Sequence, residues 1–389
     1  MAIKIAHYTL STALGLGKQA HITPLNENRS GLREIVIGPH ARSFAGSMHS
    51  IDAVQLPDAV QHFDCRNNRL AYLSILQDNF LSRVQNLCAD LGPKRGGVFM
   101  GTSTAGILST EQAYQESNQF QHLPAWYQYQ YTQNPSSLAN FVASITGISG
   151  PCFTVSTACS SSAKVFASAL RALNTGMIDY ALVGGVDTLC ATTLQGFNSL
   201  QLVSSEACQP FDRRRSGINL GEAGGFALLV RGAAPGDLTL LGVGESSDAY
   251  HMSSPHPEGL GAYLAMQQAL STADLTAADI DYINLHGTAT IANDLAEGKA
   301  VARLFPPATA CSSTKGFTGH TLGAAGIVEI NLCLLAIEQQ KAWGNNQLTE
   351  YDAATLIKPL LTTQSAAINV ALSNSFGFGG SNCCVVVGQ

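Results

Sequence analysis

Charge is scarce in this chain: Asp, Glu, Lys and Arg make up 12% of 389 residues, against 46% apolar side chains. So much apolar residue with so little charge suits a compact core rather than a disordered or coiled-coil chain, and the 37 glycines make that core rich in small residues. No run of 18 or more apolar residues occurs, and no membrane span is expected. Residues 1–17 are interrupted by Lys4, His7, Tyr8, Thr9, Ser11 and Thr12, which spoils a secretion signal. The formal charge of −6 and the lack of a long basic block give nucleic acid no foothold. Ten cysteines are present, but without the paired C-x-x-C spacing of zinc or dithiol sites. Neither a metal nor another cofactor is expected, and reduced thiols suit a cytoplasmic protein. A phosphate loop is excluded too, because no G-x-x-x-x-G-K-[ST] pattern occurs.

What is present alternates between strand and helix patterns. A first strand is placed at Ile3-Lys4-Ile5-Ala6, with a polar loop through Asn26–Gly31. Leu70, Leu73, Leu76, Phe80, Val84 and Leu87 recur every three or four positions, predicting one long amphipathic helix within 61–91. Residues 108–140, rich in Gln, Tyr and Ser, read as surface helices or a cap. Buried strands are expected at 96–102, 150–155, 180–187, 224–230, 238–243 and 282–285, and helices at 161–173, 259–271, 293–304 and 321–340. The length suits two lobes meeting near 235–245. Gly224-Gly225 and Gly379-Gly380 each precede an apolar strand, an echo that suggests a duplicated α/β lobe.

Cys159 lies where the strand ending at Val155 turns into a helix, among Ser156, Thr157, Ala158, Ser160 and Ser161. Unpaired N–H groups at a helix start favour a thiolate, which makes Cys159 a candidate nucleophile; a buried structural thiol is the other reading. His286 ends an apolar strand before Gly287, and His320 follows Gly319 ahead of a helical stretch. Two imidazoles beside a thiolate can stabilise it, polarise a thioester carbonyl or manage protons, whereas each alone would also serve as a core or capping residue. Lys315 offers a fixed positive charge. Glu329, in the apolar run Gly326–Ile330, needs a cation if buried, and Lys315 is available. Residues 374–382 form a glycine-rich turn, either a tight hairpin or a source of backbone amides for an oxyanion.

Thr157-Ala158-Cys159-Ser160-Ser161, His286-Gly287-Thr288-Ala289-Thr290 with Asp294 and Glu297, Lys315-Gly316 to His320 and Gly323, and Asn374 to Asn382 together resemble the elongating β-ketoacyl-acyl carrier protein synthases. Pro210-Phe211-Asp212 to Glu222 and Asp248 to Met252 extend the resemblance, which covers roughly residues 95–389. It implies a thiolase-type α/β fold: duplicated βαβαβαββ halves in a five-layer αβαβα arrangement. The first half, 1–240, would hold the nucleophile and cap; the second, 241–389, would hold the His/Lys/His site and the glycine-rich loop.

The implied reaction is a decarboxylative condensation of an acyl chain on Cys159 with malonyl-acyl carrier protein, in fatty acid or polyene/polyketide elongation. His286 and His320 would donate to the thioester oxygen, with Lys315 and Glu329 holding the electrostatics. Cys159 and Phe378 would supply the oxyanion amides, and Phe378 would also gate the pocket. Thr288, Thr290 and Ser253 would hold the phosphopantetheine arm that carries the substrates, and Thr104 would shape the acyl pocket. The implied partners are acyl carrier protein and a second synthase-like chain, identical or not. Arg66, Arg69 and Arg213 to Arg215 are candidates for meeting an acidic carrier. A non-catalytic chain-length or scaffold subunit is the alternative. Two departures stand out: Arg215-Ser216-Gly217 replaces the usual Arg-Asp-Gly, and the first 40 residues match only loosely.

Overall fold

The computed structural model describes residues 2–38, 41–117 and 122–389. Ten strands carry the fold, and they fall into two sets of five with the same pairing pattern. In the first, Ile3–Thr12 pairs antiparallel with Ala223–Arg231, which pairs antiparallel with Tyr180–Asp187; Gly96–Gly101 and Cys152–Val155 then add in parallel. In the second, Thr239–Ser247 pairs antiparallel with Ser381–Gly388, which pairs antiparallel with Val370–Gly377; Tyr282–Asn284 and Ala310–Ser312 then add in parallel. The sets touch edge to edge where Ile3 and Lys4 meet Leu240 and Thr239. The glycine-strand echo falls on equivalent strands, Ala223–Arg231 and Ser381–Gly388, second in each set.

Helices Ser161–Asn174 and Ala325–Gln339 lie between the two sets and contact strands of both. Outer helices Arg66–Ile75, Phe80–Leu91 and Ser136–Thr146 cover one set through an apolar layer, and Leu260–Ala273 and Ile291–Leu304 cover the other. The result is the five-layer thiolase-type α/β arrangement. Its centre is fully packed: helix Ala325–Gln339 is buried from Ala325 to Ile337. The stretch Leu322–Gln339 is apolar and long enough to cross a membrane, yet 89% of it is buried, which marks it as a core helix.

The central helices meet at backbone distance. A Cβ on Gly326 would stand 2.4 Å from Ala163 N, and one on Gly101 would stand 2.4 Å from Ser162 N. These glycines let the start of one central helix rest on its neighbours without an intervening side chain.

The long helix expected within 61–91 is broken. It becomes Arg66–Ile75 and Phe80–Leu91, because Asp78 and Asn79 adopt left-handed φ of 53° and 57°. The Asp78 carboxylate accepts from Thr9 Oγ1 at 2.7 Å and from Lys18 N at 3.0 Å, and these bonds hold the break. The first strand runs to Thr12, further than its apolar opening shows. The cap region contains helices Ile107–Glu116 and Ser136–Thr146 with irregular chain between; residues 118–121 lie outside the described residues.

Candidate active site

Cys159 sits at the entrance to helix Ser161–Asn174, one residue past Ala158, whose φ of 51° is left-handed. A non-glycine residue in that region is costly and marks an elbow held by its surroundings. Here Ser161 N donates to Ala158 O at 3.2 Å, Ser161 Oγ donates to the same oxygen at 2.6 Å, and Thr157 N donates to Ser161 Oγ at 2.9 Å. Two further non-glycine left-handed residues, Ala289 at 65° and Leu322 at 55°, lie three and two positions past His286 and His320. Left-handed elbows thus accompany all three candidate groups. In the sequence, Gly287 and Gly319 hint at such geometry beside the histidines, and both have positive φ, 39° and 75°.

One donor atom each from Cys159, His286 and His320 lies within 4.8 Å of the other two, and all three residues are buried. The imidazoles stand edge to face, 5.3 Å between centroids at 87°. Hydrogen bonds fix their protons. Leu322 N donates to His320 Nδ1 at 3.1 Å, so the ring proton of neutral His320 sits on Nε2. Lys315 Nζ, a donor only, lies 3.4 Å from His286 Nδ1 and places that ring's proton on Nε2 as well. Occupied Nδ1 atoms and protonated Nε2 atoms make the cluster a pair of hydrogen-bond donors. The same spacing would admit a metal, but the nearby Lys315 ammonium opposes a cation there.

Burial holds both histidines well below the usual imidazole range, with the Lys315 charge acting in the same direction on each and His320 adding to it at His286. Neither imidazole should therefore charge near 6.5. The pH profile of turnover is expected to lack an inflection at that value, and imidazole NMR resonances of both residues should stay flat from pH 8 through 6. A titration of either near 6.5 would contradict the buried neutral pair.

Burial also pushes the Cys159 thiol up to about 11. Lys315 and the Phe378 amide, which donates to the sulfur, pull the other way, and Asp187 and Glu329 add to the rise. This corrects the expectation that the helix start alone would favour thiolate. Desolvation outweighs it.

Lys315 forms a buried ion pair with Glu329; their side chains are 1% and 3% exposed. Burial raises the Glu329 carboxyl to about 7 against the pull of Lys315. The expected pairing is therefore present. Glu297, in the motif that follows His286, holds the His286 turn: its carboxylate accepts from His286 N and Gly287 N at 2.7 Å each, and from Asn374 Nδ2 at 3.0 Å. Burial raises Glu297 to about 7 as well. Its place on helix Ile291–Leu304, facing the turn, could have been read from its spacing to His286 only with the fold in hand.

A cavity of about 290 Å³ opens onto these groups, with Cys159, His286, His320, Phe376 and Phe378 in its wall. Thr288, Thr290, Ser253 and Asn293 line it too, and Thr288 Oγ1 and Thr290 Oγ1 lie 2.9 Å apart. Ser216 lines it beside Gly217, its hydroxyl 2.7 Å from Ser204 Oγ. The Phe378 ring packs on Phe197 at 5.5 Å. Gly377 lets the loop approach the nucleophile, since a Cβ there would stand 2.8 Å from Thr157 O. Thr104 is outside this lining. It is buried, and its hydroxyl donates to Asp187 Oδ1 at 2.8 Å.

The candidate docking arginines are mostly engaged. Arg215 is buried, donating to Asp352 at 2.7 Å and lying 3.4 Å from Asp294, so it cannot meet a partner. Arg66 pairs with Glu222 and Asp52, and Arg69 with Asp64. Arg213 and Arg214 remain 71% and 58% exposed.

A buried thiol elbow facing two neutral imidazole donors, within a duplicated five-layer α/β fold, defines a condensing enzyme of the thiolase superfamily. The N-terminal domain of the beta-ketoacyl synthases matches residues 72–234 and their C-terminal domain matches residues 238–348. The chain belongs to the beta-ketoacyl synthase family. Nodulation protein E of Rhizobium meliloti is 31% identical over 94% of this chain and 90% of its own length. The 3-oxoacyl-[acyl-carrier-protein] synthase 2 of R. meliloti strain 1021 is 38% identical over 276 residues, 65% of each chain. Among solved structures, the ketosynthase ApeO in complex with its chain length factor ApeC, from Xenorhabdus doucetiae, matches with a TM-score of 0.90 at 38% identity, covering 100% of this chain and 98% of the other. With its Cys-His-His set intact, the chain is an active type of condensing enzyme rather than a scaffold subunit.

Proposed function

We propose that this chain joins an acyl group carried on Cys159 to a malonyl unit carried by acyl carrier protein. The Cys159 sulfur attacks the incoming acyl thioester and releases the carrier thiol. Malonyl-carrier thioester then loses CO2, and the electron pair of the broken C–C bond becomes an enolate. That carbon attacks the Cys159 thioester, freeing the sulfur and leaving a β-ketoacyl chain on the carrier. His286 and His320 donate through Nε2–H to the malonyl thioester oxygen where enolate charge develops; Lys315, itself held by Glu329, helps keep both neutral and holds His286 in place. The Cys159 and Phe378 amides receive the oxyanion of each tetrahedral intermediate. Thr288, Thr290 and Ser253 hold the phosphopantetheine arm at the cavity mouth.

The observation that carries this reading is the pair of Nε2–H donors converging beside a buried cysteine. Two donors on one developing oxyanion typically contribute ~3 kcal/mol apiece. The halves meeting near residue 240 each supply part of the site: the nucleophile from one, the donors and loop from the other. A partner chain, as ApeO has in its chain length factor ApeC, fits the edge strand Cys152–Val155, where Phe153 is 43% exposed. Ten unpaired thiols accord with a cytoplasmic location.

The test is intact-protein mass spectrometry of the native chain, with and without a partner chain, after incubation with a panel of acyl-carrier thioesters. An acyl adduct on the peptide containing Cys159, discharged on adding malonyl carrier protein, is expected. Absence of an adduct from every donor, in folded protein with its partner, would return the chain to the scaffold class.

A further inference from the structure

Asp187, at the end of strand Tyr180–Asp187, is fully buried, and no cation pairs with it among the described residues. Its charge is met by donors alone. Oδ1 accepts from Thr102 Oγ1 at 2.5 Å, Ser103 N at 2.9 Å, Thr104 N at 2.9 Å and Thr104 Oγ1 at 2.8 Å. Oδ2 accepts from Ser103 N at 3.1 Å, Ser103 Oγ at 2.6 Å and Gly323 N at 2.5 Å. An acceptor-only group with this many donors is a carboxylate that its neighbours have been built around.

The Gly323 bond gives the cluster a catalytic consequence. Gly323 follows Leu322, whose amide fixes the His320 tautomer, and Leu322 is itself left-handed at 55°. A Cβ on Gly323 would stand 2.8 Å from Asp187 Oδ2 and 2.7 Å from Ser103 N, so the turn seats itself by bare backbone. Strand Gly96–Gly101, which leads into Thr102, rests through Gly101 on Ser162, in the helix behind Cys159. Asp187 therefore ties the His320 turn to the loop and helix that hold the nucleophile.

We propose that Asp187 is a positioning residue for condensation: it pins the 322–323 turn so that His320 keeps its proton on Nε2, aimed at the site beside Cys159. The proposal rests on the condensing reading above. Its negative charge is also one of the influences that raise the Cys159 thiol, together with Glu329 and against Lys315; His286 and His320, which face the sulfur, are neutral. Removing the charge should ease thiol ionisation while spoiling the histidine, two effects of opposite sign.

Asp187→Asn is the test. The amide must turn an NH2 toward amides that were donating to it, so the turn loosens although side-chain volume is kept. Turnover in condensation is expected to fall roughly 10–100-fold, as displacement of a catalytic group by about 1 Å does. KM for the carrier thioester should change less than about threefold, and acyl adduct on Cys159 should still form. Iodoacetamide alkylation of Cys159, followed by peptide mass spectrometry, should show its pH midpoint moving down. In chains labelled with nitrogen-15 in histidine, the resonances that disappear in His320→Gln should report Nε2–H in the native protein and a tautomer mixture in Asp187→Asn. Unchanged turnover, or lowered turnover with the native tautomer and native alkylation midpoint, would overturn the proposal. If Asp187→Asn does not fold, Ser103→Ala decides. It removes one donor to Oδ2, and a hydroxyl 3.3 Å from Gly323 N, and should lower turnover about threefold with a partial tautomer change. Native values in that variant would overturn the proposal. A native protein that forms no acyl adduct would instead sink the condensing reading itself.

Discussion

Cys159→Ser is expected to slow acyl-enzyme formation by roughly 10³-fold or more while leaving unfolding almost unchanged. The substitution keeps the side chain small enough for the elbow set by Ala158, Ser161 and Thr157. What it removes is the sulfur. Burial already holds the thiol at about 11, and a serine hydroxyl, far less acidic, would need a general base. None is at hand: both imidazoles have Nδ1 occupied and offer a proton from Nε2, so neither faces the nucleophile as an acceptor. The measurement is the single-turnover rate of adduct formation by mass spectrometry, alongside a urea unfolding curve for each protein. A serine variant that acylates within tenfold of the native rate would mean that another residue takes the acyl group or that an imidazole acts as base.

Part of the site is legible in the sequence and part is not. Cys159, His286, Lys315 and His320 each sit at a strand end or helix start among small residues, and that pattern survives as linear text. Glu329 could be paired with Lys315 in advance because an isolated carboxylate in an apolar helix must find a cation. Glu297 and Asp187 left no such trace. Each works by accepting backbone N–H groups from a segment 10 to 136 residues away, and only the closed fold brings those amides to the carboxylate. Thr104 illustrates the converse. The resemblance points it to the acyl pocket, and its hydroxyl donates to Asp187, which also accepts from Thr102 Oγ1, Ser103 N, Ser103 Oγ and Thr104 N. The break at Asp78 and Asn79 was hidden for a related reason: helical periodicity continues through both halves, and the bonds that open it come from Thr9 and Lys18.

Breaking the buried pair should cost most in stability. Lys315→Met keeps the length and apolar stem of the side chain but leaves Glu329 inside the core without its cation, a change that typically costs about 3–5 kcal/mol. The loss should depend on pH, and its sign follows from Glu329. Its folded value, about 7, stands above the 4.5 of an ordinary glutamate, so it binds a proton on folding between those values. Its contribution to stability is complete below 4.5 and declines as pH rises through 7. Without Lys315 the folded value climbs further, and the decline deepens. The variant should therefore fall short of native by much more at pH 8 than at pH 5, in urea unfolding at both. Adding Glu329→Gln to Lys315→Met should recover a large part of the pH 8 loss, since no buried charge then remains at the pair. Turnover should stay lost in the double variant, because His286 has no donor holding its Nδ1 and its proton is free to leave Nε2. An equal loss at both pH values, or no recovery in the double variant, would show that Lys315 stabilises the core through packing and not through its charge.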